Sequence, residues 1–146
     1  MSHVTTIDAT DKYDIPSLKQ MCKNEGWEFI ENKTTFAWFG RHVGDYPLPA
    51  GFTVDDMGKC SHAIRIPGCT YEVGVVRKGE EWKLLYDFWG TGGLKQRLGE
   101  NAGLLKQSYS MAKTQTTCKK YHRSWKEQPV KNRKGWKKIV VNMAKY

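Results

Sequence analysis

An α+β fold, with helices on one face of an antiparallel sheet, is the fold class that the sequence predicts. Short β-branched or alternating stretches are separated by Gly, Pro and Asn turns, and two stretches carry apolar residues at intervals of three and four. These patterns follow one another in the order β-α-β-β-β-β-β-α-β-β. Helices interspersed with antiparallel strands pack together on one side of the sheet. The order is close to a ferredoxin-like sandwich with a C-terminal β-hairpin.

The predicted strands are short and end at turn residues. They cover residues 4–7, 27–30, 34–39, 63–66, 71–76, 82–88, 124–130 and 136–141. Residues 40–59 contain four Gly and two Pro without a sustained period, so we expect a long inserted loop there. Loops of this length in compact domains are often functional lids, and the alternative is a mobile insertion.

Two helices are expected from the apolar spacing. The first begins near Asp14, with Pro16 in its first turn, and ends before Gly26. The second extends from about residue 99 to residue 121. On that helix Lys106, Lys113 and Lys120 repeat every seven residues, which aligns their ammonium groups on one stripe.

The charge of the chain is concentrated in its last third. The chain has 146 residues, a length typical of one domain, so we expect a single domain over residues 1–146. Residues 1–93 carry ten Lys and Arg against thirteen Asp and Glu, whereas residues 94–146, the basic helix and hairpin, carry fourteen against two. This asymmetry predicts an anionic partner: a nucleotide, nucleic acid, an acidic protein or a membrane surface. The alternative is a solvated basic surface that only maintains solubility.

Several classes of protein are disfavoured by the composition. No apolar stretch approaches the roughly 20 residues that span a bilayer, so we expect no membrane association. The first residues lack a signal or transit composition, which predicts a cytoplasmic protein, in the host cytoplasm if a phage encodes it. The four Cys form no C-x-x-C pair, so we expect free thiols and neither metal nor cofactor.

The stretch YDFWGTGG at residues 86–93 combines aromatic side chains, a carboxylate and three glycines. It lacks the spacing of a Walker or dinucleotide loop, although its backbone N–H groups could face an anion. In a strand, Tyr86 and Phe88 share one face while Asp87 and Trp89 share the other, and we expect the second pair to be nearer a ligand. The alternative is that the aromatic side chains belong to the core and the glycines to a tight turn.

Aromatic faces beside cations suit a nucleobase and its phosphate. The predicted ligand-binding residues are Asp87, Trp89, Lys95, Arg97, Lys106, Lys113, Arg65 and His62. The alternative prediction, nucleic-acid binding by the basic tail, involves Lys120, Arg123, Trp125, Arg133, Lys134 and Trp136.

Catalysis has little support in the sequence. The four His are scattered, and no nucleophile elbow, metalloprotease or deaminase motif is present. His62 with Glu72 or Asp87 could form an acid–base pair if the sheet brings them together, but a structural histidine is the preferred interpretation.

Other stretches, spread over nearly the whole chain, resemble a small protein family. They are Met1-Ser2-His3, residues 61–67, 71–76, 86–90 and 98–102, and the final hairpin. The family, of unknown function, includes the conserved plastid reading frame number thirty-five of algae, with cyanobacterial, bacterial and phage relatives. The resemblance implies a one-domain ferredoxin-like fold and, for some bacterial relatives, a neighbouring ATPase. It implies no catalytic residues, and it departs mainly at residues 40–59.

These observations together predict a non-enzymatic binding protein for a nucleotide-like anionic ligand. If a phage encodes it, sequestering a host nucleotide signal would be a natural role. The alternatives are an adaptor that docks on an acidic partner such as an ATPase, and a general nucleic-acid-binding protein. A homodimer that shares a site across its interface is compatible with the sequence, which does not address oligomeric state.

Overall fold

The computed structural model describes residues 3–9, 12–42, 44 and 46–120 in full, and residues 121, 125–129 and 137–141 by their backbone. The elements in chain order are β1 (Val4–Thr6), α1 (Ile15–Glu25), β2 (Glu28–Glu31), β3 (His62–Arg65), β4 (Val73–Lys78), β5 (Glu81–Asp87), α2 (Leu94–Leu98), α3 (Gly103–Tyr121), β6 (Trp125–Pro129) and β7 (Lys137–Val141). Short 3₁₀ turns occur at Val54–Asp56, Gly90–Gly92 and Glu100–Ala102. None of the helices in those ranges combines the length and apolar character that crossing a membrane requires.

The main sheet has five antiparallel strands in the order β1-β5-β4-β3-β2. Strands β2 to β5 form a meander, and β1 pairs with β5 at the far edge. A separate antiparallel hairpin joins β6 and β7. The predicted α+β fold is confirmed, and the architecture is consistent with a ferredoxin-like sandwich.

The helices cover one face of the sheet. Ile64, Val75 and Leu84, from the three central strands, are fully buried in one core with Leu18 of α1 and Leu105 of α3. These three strand residues lie on the same face because alternate residues of paired strands point the same way. Burial of such side chains contributes about 1.5–3 kcal/mol each, so this core is the main attachment of the helices.

The predicted signals at both ends of α1 are confirmed. Asp14 is the N-cap residue, and its Oδ1 accepts a hydrogen bond from the backbone N–H of Ser17 at 2.7 Å. Pro16 occupies the first turn, where its missing N–H costs no helical hydrogen bond. Gly26 ends the helix in the left-handed region, with φ of 73°.

Helix α1 packs against α3 through side chains at both of its ends. Asp14, at the start of α1, pairs with Lys113, whereas Glu25, at the end, accepts a hydrogen bond from Ser108 Oγ at 2.7 Å. Lys113 and Ser108 lie on different sides of α3, because five residues rotate a helix by about 140°. The two ends of α1 therefore contact opposite sides of α3.

Residues 33–60 cover the other face of the sheet. Phe36, Phe52 and Met57 form a second buried cluster with Ala63 of β3 and Leu85 of β5. This segment includes the whole range of the predicted inserted loop, and it is packed against the strands through its apolar side chains. The sheet is thus covered by helices on one face and by this segment on the other.

The strand predicted at residues 34–39 is absent, and an isolated bridge between Thr35 and Lys59 takes its place. Its aromatic residues lie on the sheet and do not extend it. Phe36 occupies the space above Gly74 of β4, where an added Cβ would lie 2.3 Å from the phenyl ring. Apolar content alone did not distinguish a paired strand from a segment that packs across one.

A buried carboxylate attaches this segment to β4. Glu72 is 3% exposed. Its Oε1 accepts hydrogen bonds from Lys33 Nζ at 2.5 Å and from the backbone N–H of Ala37 at 2.9 Å. Its Oε2 accepts from Arg65 Nε at 3.2 Å. Burial opposes ionisation of Glu72, but Lys33, the Ala37 amide and Arg65 together hold its pKa below the ordinary value.

Candidate functional site

The glycines of residues 90–93 form a close-packed joint between β5 and α2. The Gly92 carbonyl accepts hydrogen bonds from the backbone N–H groups of Thr70 and Tyr71, at 2.9 and 3.2 Å. A Cβ at Gly92 would lie 1.9 Å from the Tyr71 ring. The Gly92 N–H itself donates to the Trp89 carbonyl at 3.1 Å. The need for glycine at position 92 is therefore explained by close packing in this joint and not by anion binding.

Asp87 is buried and lines neither cavity of the site described below, whereas the sequence-based prediction placed it near a ligand. It is fully buried, and its Oδ1 accepts hydrogen bonds from the backbone N–H groups of His3 and Trp89, at 2.9 and 3.0 Å. Its Oδ2 accepts from the N–H of Phe39 at 3.1 Å. Strand β5 ends at Asp87, so the alternation that grouped Asp87 with Trp89 stops there. From its buried position, Asp87 therefore fixes the backbone at His3, Phe39 and Trp89.

Two adjoining cavities form what we call the edge cleft, beside β1 and the end of β5. The cavities, of about 360 and 610 Å³, share Tyr46, Phe88, Lys95 and Glu100. The smaller is also lined by Thr5, Thr6, Asp8, Tyr86, Asn101 and Lys106. The larger is also lined by His3, Trp89, Gly90 and Gln96. Volumes of this order are typical of small-molecule sites.

One wall of the edge cleft is aromatic. The His3 ring lies 5.2 Å from both Tyr46 and Phe88 and 4.9 Å from Trp89, measured between ring centroids. Tyr46 and Phe88 are in edge-to-face contact at 5.1 Å. Asp87 holds the backbone of His3 and Trp89, so the wall is positioned by a buried group. Such a surface offers π-faces to a planar ligand.

The other wall is polar and carries both signs of charge. Lys95 and Lys106 form no ion pair with any side chain in the described part of the protein, nor do Asp8 and Glu100. Burial, with a smaller effect of Glu100, raises the pKa of Tyr86 to about 12, so its phenol stays protonated at neutral pH. This wall can therefore bind both anionic groups and hydroxyl groups.

A break before α3 places residues in this wall. The second predicted helix begins at Gly103, later than expected, because Asn101 and Ala102 have φ of 52° and 55°. A left-handed backbone cannot continue a right-handed helix. The break positions Glu100 and Asn101 in the cleft.

Three of the predicted ligand-binding residues meet in the edge cleft, namely Trp89, Lys95 and Lys106. Lys113 is instead paired with Asp14 at the contact of α1 with α3. Lys106 lines the edge cleft whereas Lys113 is held by Asp14, so the two do not form one anion-binding stripe.

Arg65 and Arg97 lie outside both cavities. Arg65 pairs with Glu72 at 3.2 Å and with Glu28 at 3.7 Å, on the sheet face away from the helices. Arg97 is exposed on α2 and lies near Cys69. Neither arginine joins the residues of the edge cleft.

His62 is also remote from the cleft and forms no acid–base pair with Glu72 or Asp87. Its Nδ1 accepts a hydrogen bond from the backbone N–H of Asn32 at 3.0 Å, and its ring contacts Phe29 and Trp82. His62 lies on the helix-covered face with Ile64, two residues further along β3, whereas Glu72 and Asp87 bind groups of the segment over the other face. The suggested acid–base pair is therefore wrong.

The residues of the alternative nucleic-acid site are mostly outside the described part of the chain. Lys120 is exposed near the end of α3. The side chains of Arg123, Trp125, Arg133, Lys134 and Trp136 are not among those described. Nucleic-acid binding and the adaptor role stay predictions from the sequence.

The residues of the cleft that the sequence reasoning missed include His3, Tyr46, Glu100 and Asn101. Tyr46 offered a signal, since it is an aromatic residue between Gly44 and Pro47 in a loop without period. Asn101 offered another, because Asn tolerates the left-handed region better than most residues. Nothing local indicated His3, whose place depends on the pairing of β1 with β5.

Among the side chains that the structure describes, no three His, Cys, Asp or Glu residues are grouped so as to hold a metal ion. Cys60 donates to the Lys33 carbonyl at 3.0 Å, whereas Cys69 lies against Gly93. Comparison with protein-family models, curated proteins and solved structures finds no match to the chain. The family resemblance therefore stays a prediction.

Proposed function

We propose that the protein binds a small nucleotide-like anion in the edge cleft and acts by binding, without chemical conversion. The observation that carries the proposal is the composition of the two adjoining cavities. They bring together an aromatic wall and two ammonium groups that have no ion-pair partner among the described residues. Aromatic faces with nearby cations are the combination that holds a base and a phosphate.

The geometry supports a division of the ligand between the two cavities. The aromatic side chains line the larger one, which can receive a planar base. Lys106 and the hydroxyls of Thr5 and Thr6 line the smaller one, which can receive the phosphate. Lys95 lines both cavities, so its ammonium group can reach either part of the ligand.

Calorimetric titration with AMP, GMP, CMP and UMP is the direct experiment. Lys95→Glu and Lys106→Glu should each weaken binding at least about tenfold, which corresponds to about 1.4 kcal/mol. Lys23→Glu is the matched control, since Lys23 is exposed in the last turn of α1 and lines neither cavity. Absence of binding to all four nucleotides, or equal affinity in the three variants and the parent, would contradict the proposal.

The fate of the ligand separates binding from catalysis. After incubation with the tightest-binding nucleotide, the protein is denatured and the released small molecule is analysed by chromatography and mass spectrometry. Intact nucleotide supports a protein that sequesters its ligand. An altered product would replace this part of the proposal with an enzymatic one.

A further inference from the structure

The charges that line the edge cleft balance one another. Lys95 and Lys106 supply two positive charges, and Asp8 and Glu100 supply two negative ones. None of the four belongs to an ion pair within the described part of the chain. A site for a highly charged ligand would be expected to carry an excess of cations. The cleft is instead suited to a ligand that carries one phosphate group and several hydroxyl groups.

We infer that the edge cleft takes a ribonucleoside monophosphate, in preference to the triphosphate and to the deoxyribonucleotide. This inference rests on the proposed nucleotide binding and specifies its ligand. It follows from the positions of the two carboxylates relative to the two lysines and to the aromatic wall.

Glu100 is placed to bind the ribose. It lines both cavities, so it lies where the sugar must be if the base and the phosphate occupy one cavity each. A carboxylate only accepts hydrogen bonds, and its two oxygens can accept both hydroxyls of a ribose. The nearby phenol of Tyr86 stays protonated and adds a donor to the same wall.

Asp8 is placed to limit the phosphate to a single group. It lines the smaller cavity together with Lys106, Thr5, Thr6 and Asn101, whose ammonium, hydroxyl and amide groups suit one phosphate. A second and a third phosphate would extend beside the Asp8 carboxylate, and like charges at close range repel. In a partly exposed cleft this repulsion is moderated by solvent and salt.

Competitive calorimetry with AMP, dAMP and magnesium-free ATP, in EDTA and at low salt, tests the inference, with the bases exchanged if another base binds more tightly. AMP should bind about tenfold more tightly than dAMP, because a hydrogen bond to a charged group is lost with the hydroxyl. AMP should also bind several-fold more tightly than ATP. Glu100→Gln should reduce the preference for ribose, Asp8→Asn should reduce the preference for the monophosphate, and Glu80→Gln, in the exposed β4–β5 turn, should change neither.

The outcomes separate this inference from the proposed function. If ATP binds best, or if AMP and dAMP bind equally, the inference is wrong although the protein binds nucleotides in the cleft. If either carboxylate variant keeps the full selectivity of the parent, its assigned role is wrong. If no nucleotide binds at all, the proposed function fails together with the inference.

Discussion

At the scale of single residues, the edge cleft depends on a group that does not reach its surface. The Asp87 carboxylate receives three backbone N–H groups, from His3, Phe39 and Trp89. Each of these part-buried donors would lose its acceptor if the carboxylate were removed, and an unsatisfied buried donor costs about 1–3 kcal/mol. Asp87 therefore contributes to the stability of the fold and to the position of the aromatic wall at once.

Asp87→Ala is expected to lower the free energy of unfolding by about 3 kcal/mol, since three part-buried amides lose their acceptor. Asp87→Asn should cost less, because the Asn side chain keeps its shape and one acceptor oxygen. Urea denaturation followed by Trp fluorescence measures both. A loss below about 1 kcal/mol for Asp87→Ala would contradict the role given to this carboxylate.

Two glycines of the joint after β5 provide a matched comparison. Gly92→Ala places a methyl group against the Tyr71 ring and should destabilise the protein by about 1–3 kcal/mol or more. Gly90→Ala meets only the Gln96 side chain, at 3.4 Å, and should be tolerated. The two variants are compared by thermal and urea denaturation. Equal stability of both would show that the close approach at Gly92 does not exist in solution.

The sequence predicted individual residues with mixed success, for physical reasons. Trp89, Lys95 and Lys106 were found because aromatic and cationic side chains were sought beside one another, and all three line the cleft. Asp87 was misplaced because its environment depends on where β5 ends and on Phe39, which is distant in sequence. When a charged residue is buried by a segment distant in sequence, the sequence around that residue does not indicate the burial.

At the scale of elements, residues 33–60 act as a cover for the second face of the sheet. Their apolar side chains pack on the strands, and Glu72 binds Lys33 and the Ala37 amide at the start of the segment. The segment includes Tyr46, which reaches the edge cleft. The attachment of residues 33–60 to the sheet therefore influences the shape of the edge cleft.

The lowered pKa of Glu72 predicts that the free energy of unfolding depends on pH. Its pKa is below the ordinary value of 4.5 in the folded protein, so its ionised form stabilises the fold above that pH. This stabilisation should be lost as the pH falls from about 4.5 through the lower pKa of the folded state. Glu72→Gln should flatten this part of the curve of unfolding free energy against pH, whereas Glu80→Gln, a control in the exposed β4–β5 turn, should leave it unchanged.

Unfolding free energies from pH 7 to pH 3 are obtained from urea titrations of the parent and both variants. Asp14, whose pKa is also lowered by Lys113 and Ser17 despite the opposing effect of burial, retains part of the acid sensitivity in every variant. Parallel curves for Glu72→Gln and the parent would show that Glu72 does not hold the segment on the sheet.

The elements themselves were largely predictable. The caps of α1 were recognised from Asp14, Pro16 and Gly26, since capping depends on local chemistry. The strand predicted at residues 34–39 was wrong because Phe36 packs on Gly74, a contact between segments far apart in sequence. Local patterns define an amphipathic segment but not whether it pairs with a sheet or lies across one.

At the scale of the whole molecule, the edge cleft lies where the acidic and basic parts of the chain meet. Asp8 comes from the part with an excess of acidic residues, whereas Lys95 and Lys106 come from the basic last third. Phe88 and Trp89 belong to the connection between the two parts. The uneven charge of the sequence thus corresponds to a mixed site and not to a uniformly basic one within the described residues.

Chemical-shift mapping tests the central claim, the location of the site, most directly. The ¹⁵N-labelled protein is titrated with the tightest-binding ribonucleoside monophosphate, and the amide shifts are assigned to residues. The account predicts that the largest changes occur at Thr6, Phe88, Lys95 and Asn101, which line the edge cleft, and that Phe52 and its neighbours on the opposite face of the sheet stay unchanged. Shifts confined to the end of α3, to residues 33–60 away from Tyr46, or to no residue at all would contradict it.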